Sequence, residues 1–412
     1  MSMWTVVKLS DVATLSSGGT PSKANAAFWD GDIPWISPKD MKFNHVTDAE
    51  DKITRAAVSE SAARIVGSNS VLAVVRSGIL AHTFPVATLA REVSFNQDIK
   101  AITPKNGSLL PAFLFWMLKG QEAQILRIGV KKGATVHSLS NGFLESLRFF
   151  LPPLDEQRRI VGLLDRAAEI RRRADAARGR ARAIIPALFL DTFGDPATNP
   201  KGWPVMTLRD LDGMELRNGI SPSKAGKVSG NVLTLSAITR GAFDPSARKD
   251  AMFAGPLAAE QTVSKSLFLI CRGNGNRALV GRGAFPITDM PGVAFPDTMI
   301  ALRLPEHEVA PPYLAAVWSS DHLRAQIDAA AKTTNGTFKI SQSGILRFSF
   351  PLPPRPLQIS FGERISRLET LARHLDAAAA KAEAMAAGLS AEVFGAGERK
   401  EAASADGSLA PC

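Results

Sequence analysis

The feature that most constrains this chain is that it repeats itself. Leu9-Ser10-Asp11-Val12 returns as Leu208-Arg209-Asp210-Leu211. Gly19-Thr20-Pro21-Ser22-Lys23 returns, with one inserted residue, as Gly219-Ile220-Ser221-Pro222-Ser223-Lys224. Leu151-Pro152-Pro153, Gln157 and Phe193-Gly194 return as Leu352-Pro353-Pro354, Gln358 and Phe394-Gly395, all at one spacing of 201 residues (151 to 352, 157 to 358, 193 to 394). Between them, Gly133-Ala134-Thr135-Val136 lines up loosely with Asn335-Gly336-Thr337-Phe338. Self-similarity at a fixed period means one structural plan used more than once. A tandem duplication within 412 residues therefore predicts two modules of like fold, in keeping with the domain count that such a length implies.

Each half has two parts. The first is built of short apolar runs broken by glycine and proline, such as Ile33-Pro34-Trp35-Ile36, Val71 to Val75 and Ser266 to Cys271. These read as strands and turns, with a helix over Pro111 to Leu126. The second part follows a Pro-Pro stop and is rich in alanine and arginine. Its apolar residues fall at Ile160, Leu163, Ala167, Ile170, Ala174, Ala177, Ala181, Ile184 and Leu188 in the first half. In the second half they fall at Phe361, Ile365, Leu368, Ala372, Leu375, Ala379, Ala382, Ala386, Leu389 and Val393. Spacings alternating three and four are the seam of a coiled coil, and two matched seams in one chain are expected to pair. Pro186 is expected to bend or end the first helix. The connection from Asp191 to Trp203 is too short to lead back along that helix, so the second is expected to return antiparallel. Roughly 30 helical residues make a spacer of about 45 Å, or about 13 base pairs.

The fold class expected is α+β: two mixed α/β globular modules, each followed by a long helix, with the helices paired as an antiparallel coiled-coil spacer. The boundaries read as residues 1–151 for the first module, 152–190 for its helix and 191–203 for a linker. The second module follows at 204–351, its helix at 352–394 and a disordered tail at 395–412.

Composition narrows the function. Hydrophobic residues at 45% and charged residues at 21% exclude a disordered chain. The run Leu109 to Leu118 is about half of what crosses a bilayer, and no basic stretch leads into an apolar one at the start. Cys271 and Cys412 alone build neither a disulfide framework nor a cysteine zinc site. A cytoplasmic location away from membranes is expected. The formal charge of +10 favours a polyanionic partner, because lysine and arginine release counterions from phosphates.

A reader of DNA needs phosphate donors and forked or flat side chains for base edges. Candidates in the first module are Thr20, Ser22, Lys23, Lys39, Lys42, Arg76, Lys131 and Lys132. In the second they are Lys224, Arg272, Asn274, Arg277, Arg282, Lys332, Asn335 and Lys339, with Asn276 beside them. Glycine next to such residues lets backbone approach a phosphate closely. Any one of them also suits an ordinary surface loop; the set gains weight because both halves place such loops at corresponding positions. The arginines Arg158, Arg159, Arg166, Arg171, Arg172, Arg173, Arg178, Arg180 and Arg182 fit a solvated helix face, a docking surface or a phosphate track.

Catalytic patterns are missing. Gly273-Asn274-Gly275-Asn276-Arg277-Ala278 has a dinucleotide-binding spacing, but Gly281, Gly283 and Pro286 forbid the helix that would hold a pyrophosphate. Glu50-Asp51-Lys52 marks no partner acid and reads as a solvated loop. No histidine pair has metal-ligand spacing, and no P-loop, nucleophile elbow or adenine-methyltransferase motif is present. No catalytic residue, metal site or cofactor is expected in this chain.

These residues resemble the specificity (S) subunits of type I restriction-modification systems across essentially the whole chain. The likeness is carried by Leu9-Ser10-Asp11-Val12, Gly18-Gly19-Thr20-Pro21-Ser22-Lys23, Gly31-Asp32-Ile33-Pro34-Trp35-Ile36 and Leu151-Pro152-Pro153-Leu154-Asp155-Glu156-Gln157-Arg158-Arg159-Ile160. Phe193-Gly194-Asp195-Pro196 with Asn199-Pro200-Lys201-Gly202-Trp203 adds to it. The second half departs from the pattern: Pro353-Pro354-Arg355-Pro356-Leu357-Gln358 lacks the Asp-Glu pair, and its opening loop lacks Gly-Gly-Thr-Pro. The resemblance implies two target-recognition domains, each reading one half of a bipartite, asymmetric site on double-stranded DNA. It implies spacer helices that set the gap and dock two methyltransferase (M) subunits, with restriction-translocase (R) subunits completing the complex. S-adenosylmethionine, ATP and magnesium would then serve those partners. Two other classes compete with this reading: a methyltransferase or nuclease fused to its own recognition domains, and a coiled-coil scaffold that never touches DNA.

The unbroken seams generate a test. Deleting one heptad, Ala378 to Ala384, is expected to change the gap between half-sites or abolish binding while leaving both half-sites intact. Methylome sequencing that shows new half-site letters at the old gap contradicts the spacer role.

Overall fold

The duplication read from the sequence is a duplication of topology. The computed structural model describes residues 4–394 apart from Lys224, Asn335 and the side chains of Ala181, Arg182 and Thr334, so the tail expected at 395–412 lies outside the described residues. In the first half the strands Ala13–Ser17 (β1), His45–Val46 (β2), Val71–Val74 (β3), Val86–Leu89 (β4) and Ile99–Pro104 (β5) form a sheet in the order β1-β5-β3-β4-β2. In the second, Glu215–Asn218 (β6), Leu267–Cys271 (β7), Gly283–Ala284 (β8) and Met299–Arg303 (β9) form one in the order β6-β9-β7-β8. Beside each lies a four-stranded sheet with one parallel pair, a small three-stranded sheet and a two-stranded one. The two-stranded sheets pair Thr5–Lys8 with Arg148–Leu151 and Val205–Thr207 with Ser349–Pro351.

The central strands β3 and β7 are apolar throughout because both of their faces are covered. Successive side chains point to opposite faces, so Val71 and Ala73 join one core while Leu72 and Val74 join another. Phe268 and Ile270 separate from Leu267, Leu269 and Cys271 in the same way. The helix expected over Pro111 to Leu126 runs as Pro111–Gly120. After a short turn the chain continues as a π-turn, Ile125–Gly129.

The long helices are Leu154–Phe193 (α1) and Arg355–Phe394 (α2), 40 residues each. The chain divides into two compact units through the middle of both helices: one is residues 1–175 with 376–412, the other 176–375. In the first unit the start of α1 (Ile160, Leu164) shares a core with the end of α2 (Val393, Phe394). Further along, Arg171 donates to Glu383 at 2.5 Å. The two segments therefore run antiparallel there. Phe394 meets Phe113 edge-on, and its ring fills the place a Cβ on Gly120 would need. In the second unit Leu188, Phe189 and Phe193 from the end of α1 pack with Phe361 and Ile365 from the start of α2. Each unit thus includes the far end of the other half's helix.

The seam expected on α2 matches its burial: Phe361, Ile365, Leu368, Ala372, Leu375, Ala379, Ala382, Ala386, Leu389 and Val393 are all buried or half-buried. That on α1 needs correction. Ile160, Ala167, Ala174 and Leu188 are buried, but Leu164 is buried where Leu163 is only half-buried, and Ile170 and Ile184 are 41% and 45% exposed. Burial runs through 164 and 185 instead of 163 and 184, with Ala177 and Arg178 both half-buried between them, while 170 and 171 are both exposed. Near 170 the described contact between the helices is an exposed ion pair, Arg171 with Glu383, which apolar spacing alone does not show. The side chain of Ala181 lies outside the described residues. Pro186 does not end α1, which continues to Phe193 past the expected boundary at 190. Proline removes one donor, while the packing of Leu188, Phe189 and Phe193 outweighs that loss. The stop comes at Gly194, whose φ of 83° is the left-handed helix end that glycine favours.

At the base of each helix sits the same polar clamp. Gln157 Oε1 accepts from Leu110 N at 2.9 Å, and its Nε2 donates to Ser108 O and Pro152 O, each at 2.8 Å. Gln358 Oε1 accepts from Ala310 N at 2.8 Å, and its Nε2 donates to Glu308 O at 3.1 Å and Pro353 O at 2.8 Å. Both glutamines are 0% exposed. Each joins the first turn of a long helix to the N-terminus of the buried helix that begins at Pro111 or Pro311. A buried group left without its partner costs about 1–3 kcal/mol. Gln157→Leu and Gln358→Leu, which strand three main-chain groups apiece, are expected to lower the melting temperature of their own unit by roughly 4–8 °C. Calorimetry showing both transitions unmoved would dismiss the clamp.

Candidate nucleic-acid interface

Strand direction decides where the loops of each unit emerge. In the first unit β5 is antiparallel to both β1 and β3, with Ser17 opposite Lys100 and Val74 opposite Ile99. The chain therefore leaves β1 into Gly18–Lys23 and β3 into Arg76 at one and the same end of the sheet. Since β4 is antiparallel to β3 and β2 is parallel to β4, the chain also enters β2 from that end, through Lys39 to Asn44. At the opposite end β1 starts across from Pro104, and Leu9 N bonds Leu147 O, leading toward α1. One end carries the loops and the other the helix.

The second unit repeats this arrangement. Asn218 faces Ile300, Cys271 faces Met299, and Cys271 N bonds Arg282 O. The glycine loop after β6, the segment Arg272 to Asn274 after β7 and Arg282 before β8 all lie at one end. Candidates scattered through the sequence are thus brought together by the antiparallel order of two sheets. Lys224 and Asn335 lie outside the described residues.

The small three-stranded sheets stand at that same end. In the first, Lys131 is opposite Ser138 and Ser138 opposite Arg76. In the second, Lys332 and Gly273 both face Lys339, while Asn274 faces Phe338. Directly opposed residues project from one face, so Arg76 with Lys131, and Lys332 with Lys339, form cationic rows. All four side chains are exposed, and among the described residues none has a carboxylate partner. Like charges set opposite each other destabilise a sheet; an anion bound across them removes that penalty. Lys132 continues the first row into its hairpin loop. The hairpins match at the spacing of 201 residues (131 to 332, 140 to 341), and Ser140 and Ser341 both cap the helical turn that follows. This replaces the loose alignment of Gly133 with Asn335.

The first glycine loop is rigid. Trp35 Nε1 donates to Gly19 O at 3.0 Å and Trp29 Nε1 to Ser22 O at 3.1 Å, the two rings packed edge-on at 5.4 Å. Thr20 Oγ1 bonds Gln97 Oε1, so that hydroxyl is already engaged, while Ser22 and Lys23 are exposed. A Cβ on Gly18 would lie 2.0 Å from Phe95 O, and one on Gly219 would lie 2.0 Å from Pro296 O. Both places admit only glycine. Lys39 departs from expectation: its ammonium sits 3.0 Å from both Glu50 and Asp51, and the hydrogen bonds to Asp51 and Glu50 raise its pKa. A cation so paired is poorly placed to take a phosphate. Lys42 remains exposed. Lys100, which hydrophobic patterning hid inside a strand, is buried beside Ser17 at this end, and burial lowers its pKa.

In the second unit a cleft of about 980 Å³ is lined by Asn276, Arg277, Arg282 and Arg324 around Asp328. Arg324 pairs with Asp328 at 2.6 Å and Arg277 donates to Asp328 O at 2.9 Å. Arg282 donates to Ala278 O and Thr239 O, and Arg272 to Asp297 O. Asn274 Oδ1 accepts from Asn276 N. These guanidinium groups are held by main-chain carbonyls and one acid, so their orientation is fixed before any ligand arrives. Sequence reasoning missed Arg324 because it comes from the helix Asp321–Ala330, outside any glycine loop. Of the dinucleotide-like glycines, Gly273 lies in a short strand and Gly275 in the bend before a short 3₁₀ turn. Burial pushes the Cys271 thiol up to about 11, which makes it a poor nucleophile. Among the described residues no helix is long and apolar enough to cross a membrane, and no group of three or more His, Cys, Asp or Glu side chains is placed to hold a metal.

The chain is similar to known proteins in sequence and in fold. Residues 1–172 match the family model of the type I restriction modification DNA specificity domain. A specificity subunit of the type I restriction enzyme EcoR124I/EcoR124II of Escherichia coli is 39% identical over 159 residues, 38% of this chain and 39% of that protein. The MjaIX specificity subunit of Methanocaldococcus jannaschii is 27% identical over 226 residues, 50% of this chain and 51% of its own length. The matched segments thus span about half or less of either relative. The fold extends further. An S subunit of a type I restriction-modification system from M. genitalium superposes with a TM-score of 0.59 at 13% identity, covering 95% of this chain and 96% of the other. A chain from a structure of type I system assembly and conformational transition gives 0.56 at 17% identity, over 96% and 98%.

Proposed function

We propose that this chain, whose first 172 residues carry a type I restriction modification DNA specificity domain, is the sequence-reading subunit of a type I restriction-modification complex. Each unit offers one end of its central sheet to one half of a bipartite, asymmetric target on double-stranded DNA. The observation that carries this reading is the agreement between the two units: strand direction sends the glycine loop and the cationic row to one end in both. Phosphate contacts fix register and base-edge contacts read sequence. Lys23, Lys131, Lys332 and Lys339 suit the first role. The forked arginines and Asn274 suit the second.

The long helices set the gap and dock two methyltransferase subunits, with restriction subunits added to that core. Ile170 and Ile184 on α1, and Leu371 and Met385 on α2, support this docking. They are 41%, 45%, 57% and 67% exposed, and both pairs are two heptads apart (170 to 184, 371 to 385), so each marks an apolar line on its helix. Among the acids of α1, Glu169 is held down to about 2 by Arg172 and Arg173. Part of the arginine face is thereby neutralised within the helix, which suits a protein contact better than a phosphate track. The partners supply the chemistry, adenine methylation with S-adenosylmethionine and cleavage with ATP and magnesium. The chain works in the cytoplasm and carries no reaction of its own.

Two measurements test this. Purified alone with labelled S-adenosylmethionine and DNA, the chain is expected to transfer no methyl group; transfer without an added subunit would mean a fused enzyme. Assembled with its methyltransferase subunits, it is expected to bind DNA with an affinity that falls steeply with salt. Lys131→Ala and Lys332→Ala should each weaken binding about equally for all sequences and reduce the salt slope by about 0.9 for each phosphate no longer neutralised. Salt-insensitive binding would favour a scaffold that never touches DNA.

A further inference from the structure

The loop that enters β2 holds a residue the fold does not use. Phe43 is 75% exposed, the most exposed large apolar side chain of the described residues. Its neighbours do the packing: Met41 is 6% and Val46 3% exposed. Phe43 follows the strand Trp29–Ile36. In the second unit, the segment after the corresponding parallel-paired strand Val228–Leu233 also holds a phenylalanine, Phe243, but that one packs against the core cluster that includes Ile238. Only the first unit leaves its ring in solvent.

The loop around it is fixed. Asp40 Oδ2 accepts from Ser37 N at 2.9 Å and from Ser37 Oγ at 2.7 Å. On the other side Thr88 N bonds Asn44 O at 2.9 Å, and His45 Nδ1 lies 2.9 Å from Thr88 Oγ1. The ring is therefore displayed on a braced turn, with little ordering left to be done on binding. The nearby acids are already engaged, Glu50 and Asp51 with Lys39 and Asp48 with Lys52. Lys42, Asn44 and His45 around the ring are exposed. The turn lies at the end of the sheet that carries Gly18–Lys23 and Arg76.

We propose that Phe43 is an apolar wedge that enters the DNA stack at or beside the half-site read by the first unit. Lys42 takes the adjoining phosphate. The inference rests on the DNA-reading function proposed above. A phenyl ring at the tip of a cationic turn has the chemistry of side chains that insert between base steps, and base–aromatic stacking tolerates many sequences because every base has a π-face. An opening of the helix on the first unit's side, unmatched on the second's, follows from Phe243 being half-buried against its unit's core.

The test uses the chain assembled with its methyltransferase subunits and duplexes carrying 2-aminopurine at successive positions across the target. Wild type is expected to raise the fluorescence at one step on the first half-site, reporting unstacking. Phe43→Ala should abolish that rise and weaken binding about tenfold with the salt slope unchanged. Phe43→Trp should keep both, and Lys42→Ala should lower the slope while sparing the signal. Phe43→Ala with wild-type fluorescence and affinity overturns the wedge. So does release of a methyltransferase subunit from the Phe43→Ala complex in the absence of DNA, which would make the ring a protein contact. If wild type itself fails to bind any duplex, the DNA-reading function falls, and the wedge with it; binding without a fluorescence rise sinks the wedge alone.

Discussion

At the first turn of each long helix a fully buried glutamine satisfies three main-chain groups that the fold leaves unpaired. It bonds the carbonyl just before its own helix and two main-chain groups of the segment that leads into the neighbouring buried helix. Inside the protein such bonds are strong and their absence expensive. The direction in which a 40-residue helix leaves its unit is therefore tied to the frame of the sheet core. Aromatic packing completes the joint. Phe394 closes on Phe113 and Gly120 in one unit, and Phe193 on Tyr313 and Phe361 in the other.

With the helix fixed at one end of the strands, antiparallel pairing puts the loops at the other. Short strands suffice, because a chain that leaves β1 and β3 in the same direction needs no further device to bring Lys23 and Arg76 to one side. Electrostatics then distinguishes among cations that composition counts alike. Lys39 is consumed by two carboxylates, and several arginines of α1 are consumed by acids one helical turn away. Exposed pairs of this kind add little stability, but they remove charge that a phosphate would otherwise meet. Lys23 on the first glycine loop and Lys131, Lys332 and Lys339 on the small sheets stay exposed without such a partner among the described residues.

Several features were legible in the residues. The spacing of 201 marked the glutamines, the helix starts and the terminal phenylalanines, and the structure gives each pair the same role. The α2 seam was legible because its inward positions are all apolar. The α1 seam was legible only in part, since burial favours Leu164 and Ile185 where the apolar spacing chose Leu163 and Ile184. Pro186 and Gly194 show the same limit from another side: a helix-breaking residue is overruled where packing beyond it is strong, and the true stop is the glycine that reaches a positive φ.

The sequence by itself determined that there are two like modules with a long helix after each, and that the chain is cationic and without a catalytic motif. Period, apolar spacing and residue type are local properties, and they survive in one dimension. Only the tertiary structure decided which cations meet. Arg76 and Lys131 lie on strands separated by a third, and Arg282 lies beside Cys271 through a sheet hydrogen bond. Strand order and direction are set by long-range pairing and by burial on both faces, and a single sequence carries no direct trace of either. For the same reason Phe43 reads as an ordinary hydrophobe until the fold shows that Met41 and Val46 have filled the core without it.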